Sequence, residues 1–491
     1  MRERLKSNLS NNVVTHLFAP SIETEQYRSF ESMMEVNKAH LVMLISEGII
    51  KFEVGKEIMD SLEEIGEAGP EQLEINPNLE DLYFNIEAVL INKVGKEIGG
   101  QLHTGRSRND LYATVLRLNS RKAVLEICHL LIELRYTLLT LAEKYKHVVM
   151  TAYTHMQPAE PITLGHYLSA MLYALDRDFS RFIAAFHRTN YSPLGAGATA
   201  STTFPINRKQ TARLLGFINP MGNSLDGIAS RDYLLEIVSA MNIFANNMSR
   251  LSQDLYIWST DEFGLVEVDD SVAASSSIMP QKKNPITLEH IKAKSGHVLG
   301  GLVSMTSIMK NTPYGHSRDL AGESHKGFWE AASEVKAAAV LMNETLDTVS
   351  FKEEQMIKRA KNNFSTVTEL ANVLVREGGV SFREAHQIVG QLVSEMIEAN
   401  TPVTKVTSEA IRKISYQLLG KEIVITEVSI NKALDPVENA KAKNAEGGPA
   451  PSTVELQLEA MRTKLHKDRK WLEEQYKVIE ERKEDLSNFI K

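Results

Sequence analysis

One cysteine, Cys128, is all that a chain of 491 residues contains. No internal disulfide can form, which points to a reducing compartment and hence a cytoplasmic protein. The neighbours of Cys128 in "LEICHLLIELRY" are apolar, so the thiol is expected to be an inert core group rather than a nucleophile. A basic excess is also missing. Lys+Arg is 55 and Asp+Glu is 63, for a net charge of −8, which argues against broad nucleic-acid binding. No apolar run approaches the roughly 18 residues needed to cross a membrane. "MRERLKSNLSNN" lacks the apolar centre of a secretory signal. GxxxxGK[ST], HExxH and CxxC are absent, so phosphate-loop and zinc chemistry have no support and no metal site is expected. "GAGATA" (Gly195 to Ala200) matches a dinucleotide fingerprint, but the preceding "FHRTNYSP" is not the buried strand that motif requires. A turn of small residues is the expectation there.

What the chain does have is helical periodicity. Apolar residues make up 43%, enough for a large core. Val115, Leu118, Val124, Ile127, Leu131, Leu134 and Leu138 recur mostly at spacings of three and four, as on one face of a helix. Similar patterns cover roughly 162–189, 228–260, 286–310 and 320–349. These long segments describe an elongated bundle, so a mainly all-α fold is expected. At ~150 residues per domain the length suggests about three domains: residues 1–108, of short helices and Gly- and Pro-marked loops; 109–360, the bundle; and 361–491, a further helical region with an extra tail. In the tail Leu458, Leu465, Leu472, Ile479 and Leu486 recur every seven residues, while the second seam position holds Met461, Asp468, Gln475 and Arg482. One good column suits a helix lying on another surface better than a two-stranded coiled coil.

Three polar loops carry the chemistry. "HTGRSRND" (His103 to Asp110) offers Arg106, Arg108, Ser107 and Asn109 before a long helix, whose N-terminus favours an anion such as a carboxylate. A plain helix cap with solvated arginines fits as well. "TAYTHMQPAEP" (Thr151 to Pro161) places Thr154, His155 and Gln157 in a loop fixed by two prolines. A lone histidine is often structural, but beside Thr and Gln, with a second anion-binding loop in the chain, function gains ground. "SSSIMPQKKNP" (Ser275 to Pro285) has hydroxyls and two lysines but no His, Asp or Glu. Its prolines exclude a helix interior. Small residues there expose N–H groups that cradle negative charge, and Lys282 and Lys283 add a positive field. A serine becomes a base only where its alkoxide is stabilised in this way. The same groups would stabilise an enolate formed beside a carboxylate.

These loops on long helices resemble the fumarase/aspartase superfamily, whose signature GSSxMPxKxNP is close to "SSSIMPQKKNP". "HTGRSRND", "YTHMQPAEP", "SRD" (Ser230 to Asp232), "TELANVLVREGGVSFREAH", "LDPV" and "GGPAP" are similar to the argininosuccinate lyase branch. The resemblance runs from about residue 20 to residue 458. It implies a three-domain fold, a homotetramer with a central long-helix bundle, and active sites built from three subunits. It implies a small-molecule substrate, no nucleic acid or membrane partner, no cofactor, and a place in arginine biosynthesis. The reaction it implies is anti elimination of an N-substituted aspartate, argininosuccinate by default, to fumarate and an amine. By resemblance Ser276 is the catalytic serine; Lys282 and Asn284 hold the carboxylate and its enolate; Thr154 and His155 bind substrate and assist proton transfer; Ser107, Arg108 and Asn109 bind the fumarate half. Gln157, Ser21, His316 and Arg318 complete the candidate substrate contacts.

Departures from the family pattern gather on the amine side. Ser275 replaces a glycine. The family's "ED[IV]H" reads "EDLY", with Tyr83 for the histidine. "YN[RK]DLQEDK" reads "HSRDLAGESH", with His316 for tyrosine, Ala321 for glutamine and Ser324 for lysine. Ser21 has Glu25 four residues on, where the family has a serine and an aspartate. His316 and His325 are expected to compensate for the lost cation by becoming protonated near neutral pH. Besides argininosuccinate, a different N-substituted aspartate such as an aminopolycarboxylate fits this pattern. A non-catalytic, crystallin-like paralogue is opposed by the intact Ser276, Lys282, Asn284, Thr154 and His155.

Overall fold

The computed structural model describes residue 4 and residues 7–488. Residues 1–3, 5, 6 and 489–491, and with them part of the "MRERLK" start and the last three residues of the tail, lie outside the described residues. Among the described residues helices dominate, and the strands form four two-stranded pieces. The mainly all-α expectation holds.

The elements that position the site are α1 (Ala19–Ser46), α2 (Leu82–Val94), α3 (Arg108–Lys144), β1 (Val149–Thr154), β2 (Gln157–Thr163), α4 (Leu164–Thr189), α5 (Asp232–Trp258), β3 (Ala274–Ser275), β4 (Lys283–Asn284), α6 (Ile286–Met309), α7 (His325–Thr348) and α8 (Pro451–Asn488). The 37 residues of α3 contain no glycine or proline, and span about 56 Å at 1.5 Å per residue. Its start is a capping box: Ser107 Oγ accepts the Asn109 N–H and Asp110 accepts the Ser107 N–H. The apolar faces of α3 to α7 meet in one core that holds Val124, Leu131, Phe182, Phe244, Leu288 and Phe328. Each such side chain contributes about 1.5–3 kcal/mol on burial. α6 and α7 approach closely at Gly301 and Gly327; a Cβ on Gly301 would lie 2.6 Å from the Gly327 carbonyl oxygen.

A second core surrounds α1 and α2, and a third joins residues between Leu370 and Leu434. The N-terminal region differs from the short-helix expectation, because α1 alone runs 28 residues. Its face is rich in Met and small residues, which blurs the apolar period. Three other boundaries shift. Residues 157–163 form a strand, so α4 starts at Leu164. The segment from 228 breaks at Ser230 and Arg231 before α5. Asp319–Glu323 is a π-helical turn ahead of α7.

The tail lies on the surface of the bundle, as the single heptad column requires. Leu458, Leu465 and Leu472 enter the main core and Leu486 enters the second. The weak second column has a physical reason. Asp468 salt-bridges Arg135 of α3 at 2.6 Å, and Arg135, 1% exposed, also meets Asp176 of α4 at 3.0 Å. Cys128 is buried, and burial pushes its thiol pKa up, as expected for an inert group.

Candidate active site

The stretch Ser275 to Pro285 is closed by a minimal antiparallel ladder, Ala274 to Asn284 and Ser275 to Lys283. The segment between is open to solvent; Ile278 is 82% exposed. Ser276 Oγ accepts two backbone N–H groups, from Met279 at 3.0 Å and Ile278 at 3.4 Å. A developing alkoxide would find both already aimed at it. The lysines divide. Lys283 turns back to Asp270 at 2.6 Å and Glu267 at 3.5 Å, which neutralises its field and corrects the expectation that both lysines serve the loop. Lys282 forms no ion pair among the described residues.

Thr154, His155 and Gln157 sit at the exposed tip of the β1–β2 hairpin, where Thr154 faces Gln157. His155 and Met156 have φ of 53° and 58°. Positive φ at both central positions is the geometry of a tight hairpin turn, and it is uncommon for such side chains. Backbone strain of this kind clusters at functional sites. The hairpin's flank is tied to the segment before α8: Lys443 meets Glu160 at 2.6 Å, and Thr163 Oγ donates to the Pro449 carbonyl.

The carboxylate-binding candidate, 103–110, is clamped at the start of α3. Asp110 Oδ2 accepts the N–H groups of Gly195 and Gly197 at 2.9 Å each. Burial raises the Asp110 carboxyl to about 6 against the pull of those bonds. "GAGATA" is therefore a turn that grips Asp110; Gly195 and Gly197 have φ of 83° and 63°. Asn109 Nδ2 donates to the Ala198 carbonyl at 3.3 Å. The Arg108 guanidinium lies over the Phe84 ring and pairs with Asp81 at 2.6 Å and Glu80 at 3.6 Å.

The amine-side candidates come together nearby. Arg318 approaches Asp81 at 3.9 Å. Burial and then repulsion from Asp81 raise the Glu25 carboxyl to about 7, although Arg318, Arg28 and a hydrogen bond from Tyr112 oppose the shift. Ser21, one turn earlier on α1, is exposed. Desolvation, then the facing Arg231, Arg318 and Arg108, pulls His316 down to about 4, although much of its surface stays open. Burial first, then Arg231, takes His325 to about 3. The expected compensation by protonated histidines is thus overturned: both rings are neutral at neutral pH. Ser324 is 0% exposed and its hydroxyl donates to the Leu320 carbonyl.

Within one chain no hydrogen bond or ion pair among the described residues joins the Ser276 loop, the His155 hairpin and Ser107. The chain does unite the Arg108 end of the carboxylate loop with His316 and Arg318. Asp81, Arg28, Tyr112 and Arg231 join them there, and the sequence alone did not select any of the four. The Asp in "EDLY" was the available signal: it caps α2 through the Phe84 N–H and still reaches Arg108.

Long helices carrying three such loops define a lyase of the fumarase/aspartase fold. A class II fumarase from Schistosoma mansoni matches with a TM-score of 0.67 at 15% identity, over 84% of this chain and 90% of that one, a likeness of fold alone. An EDDS lyase in complex with formate matches with a TM-score of 0.89 at 31% identity, over 99% and 95%. The Lyase family model matches residues 19–300 and the argininosuccinate lyase C-terminal model residues 364–440. The chain is 50% identical over 465 residues to argininosuccinate lyase 1 of Shouchella clausii (strain KSM-K16), covering 95% of this chain and 93% of that one. It is 39% identical over 488 residues to argininosuccinate lyase of Methanocaldococcus jannaschii, covering 99% of each. The chain belongs to the argininosuccinate lyase branch of the fumarase/aspartase superfamily and is a carbon–nitrogen lyase.

Proposed function

We propose that the protein cleaves argininosuccinate to fumarate and arginine. The observation that carries the chemistry is Ser276, whose Oγ already accepts two N–H groups in a loop without another base. Ser276 takes the proton from the carbon next to the carboxylate. The electron pair is held as a dianionic enolate by Lys282 and Asn284. It then forms the C=C bond of fumarate as the C–N bond breaks, and the departing nitrogen takes up a proton with the help of His155 and Thr154. Ser107, Asn109 and the N-terminus of α3 bind the fumarate-half carboxylates, and Arg108 contributes through nitrogens not turned to Asp81. Gln157 supports the hairpin tip. Glu25, Ser21, His316 and Arg318 meet the amine half.

The division at residues 108 and 360 belongs to the same reading, as does a cytoplasmic location; no helix among the described residues is long and apolar enough to cross a membrane. So does a homotetramer with sites shared between subunits. The lack of any hydrogen bond or ion pair joining the three loops among the described residues supports it, and so do apolar side chains left exposed on the bundle: Leu299 at 48% and Val303 at 57% on α6, Val340 at 46% on α7.

A second reading has a specific observation behind it. Ser324 is buried and Ala321 has no polar group, so two contacts expected at the amine end are missing. A different N-substituted aspartate is then the preferred substrate. Steady-state fumarate release from argininosuccinate beside a panel of N-substituted aspartates decides. Argininosuccinate as the best substrate supports the first reading; a better panel member supports the second; no fumarate from any of them refutes both.

A further inference from the structure

Tyr83 is a departure for which the reaction supplies no role. Its side chain is 1% exposed, yet its hydroxyl is the meeting point of three polar groups. It donates to Glu87 Oε1 at 2.8 Å, lies 2.7 Å from His103 Nδ1, and accepts from Arg106 Nη2 at 3.4 Å. A phenol has one proton. With that proton on Glu87, His103 must be the donor at Nδ1, which leaves its Nε2 as the acceptor nitrogen. The Arg106 guanidinium also lies over the Tyr83 ring, 5.4 Å from its centre.

Arg106 makes this contact consequential. It is 7% exposed, and its Nε and Nη1 find no acceptor among the described residues. Among the described residues its one side-chain hydrogen bond is to Tyr83. Arg106 immediately precedes Ser107, the cap of α3, and its N–H donates to the His103 carbonyl at 3.3 Å. The loop is thus held on one side by the phenol and on the other by Asp110 in the Gly195–Gly197 turn.

We propose that Tyr83 is a positioning residue for the carboxylate-binding loop, acting through Arg106 and His103 on Ser107 and Asn109. This rests on the reading that residues 107–109 bind the fumarate half. Without the hydroxyl a buried guanidinium loses its acceptor and must move, and the cap moves with it. Displacements near 1 Å at such a site cost up to about 10²-fold.

The test compares Tyr83→Phe, Tyr83→His and Ser107→Ala in the intact oligomer, with fumarate and arginine as product inhibitors and thermal melting alongside. Tyr83→Phe is expected to weaken fumarate inhibition by about tenfold, the scale of one hydrogen bond to a charged group, and to leave arginine inhibition within about twofold. Tyr83→His, which again offers a polar partner, is expected to recover much of the loss. A hydroxyl that only stabilised the fold would lower the melting temperature and the active fraction, and so kcat, without separating the two inhibitors. Equal shifts for fumarate and arginine, or a change confined to kcat, overturn the proposal. If Ser107→Ala leaves fumarate inhibition intact, the assignment of the loop itself fails. If Ser107→Ala weakens it and Tyr83→Phe does not, the positioning role alone fails. Should Tyr83→Phe not fold, Tyr83→His carries the comparison: normal separation of the inhibitors supports the role, and a combined loss refutes it.

Discussion

Replacing Ser276 by alanine isolates the group on which the proposed mechanism depends. Its hydroxyl accepts N–H groups at 3.0 and 3.4 Å. A hydrogen bond to a charged group contributes about 1.5–3 kcal/mol. Both bonds are already made to the neutral hydroxyl, so only their strengthening as charge develops reduces the cost of forming an alkoxide while the proton moves. Positioned proton transfer contributes about 10²–10⁴-fold in rate. Ser276→Ala is therefore expected to lower kcat by about that factor, with KM little changed, because the serine stabilises the transition state more than the bound substrate. The loop is exposed and Ser276 supports no core, so melting temperature and oligomeric state should be unaltered. Continuous absorbance of fumarate gives kcat directly. Turnover near normal would falsify the assignment, and a proportional rise in KM alone would make Ser276 a binding group.

Glu25, raised to about 7, is about one-tenth ionised at pH 6 and nine-tenths at pH 8. If it meets a cationic amine half, KM should fall about tenfold over that interval and Glu25→Gln should flatten the profile; a flat wild-type profile contradicts the contact. The same raised pKa means that between about pH 4.5 and 7 the native state keeps a proton the unfolded chain has released. Glu25 therefore stabilises least above pH 7, and Glu25→Gln should gain relative stability as pH rises through that window. Asp468→Ala leaves Arg135 with Asp176 alone, at an expected cost of about 3 kcal/mol, the low end for breaking a buried pair; an unchanged urea midpoint would show that the tail docks through its leucines only. Ser276→Ala and His155→Asn chains, each inactive, should regain partial activity on mixing, since hybrid tetramers would contain sites with neither change. No recovery from a verified hybrid argues against sites shared between subunits.

Parts of this molecule were legible in the sequence for distinct reasons. α3 and the tail were readable because burial repeats along them: Leu131 and Leu138, or Leu458, Leu465 and Leu472, each face the core. α1 was not, because Ser29, Ser32, Asn37 and His40 are buried beside its methionines and break the apolar pattern. The hairpin was seen only as a loop held by prolines. Its turn depends on positive φ at His155 and Met156, which no local preference of those residues announces. The site's residue types were visible, but their commitments were not. Nothing in "QKKNP" tells that Lys283 answers to Asp270 and Glu267 while Lys282 does not.

The amine side shows why chemistry read from single substitutions runs ahead of the structure. His316 and His325 were natural replacements for a lost cation, since histidine titrates near neutrality. Burial above all, with Arg231 and Arg318 facing His316 and Arg231 facing His325, pulls both rings down instead. The positive charge among the amine-side candidates is thus carried by arginines, with Glu25 and Asp81 beside them. A mixed array of this kind suits an amine half that itself carries both signs, whichever N-substituted aspartate brings it. Substituting His316 by asparagine should therefore change KM through shape and hydrogen bonding and leave the pH dependence near neutrality unaltered, whereas removing Arg318 should weaken anionic amine halves most. KM for the best substrate, measured across pH 6–8 for both variants, separates the two roles. A pH profile that moves with His316 and not with Glu25 would return the cation to the histidine.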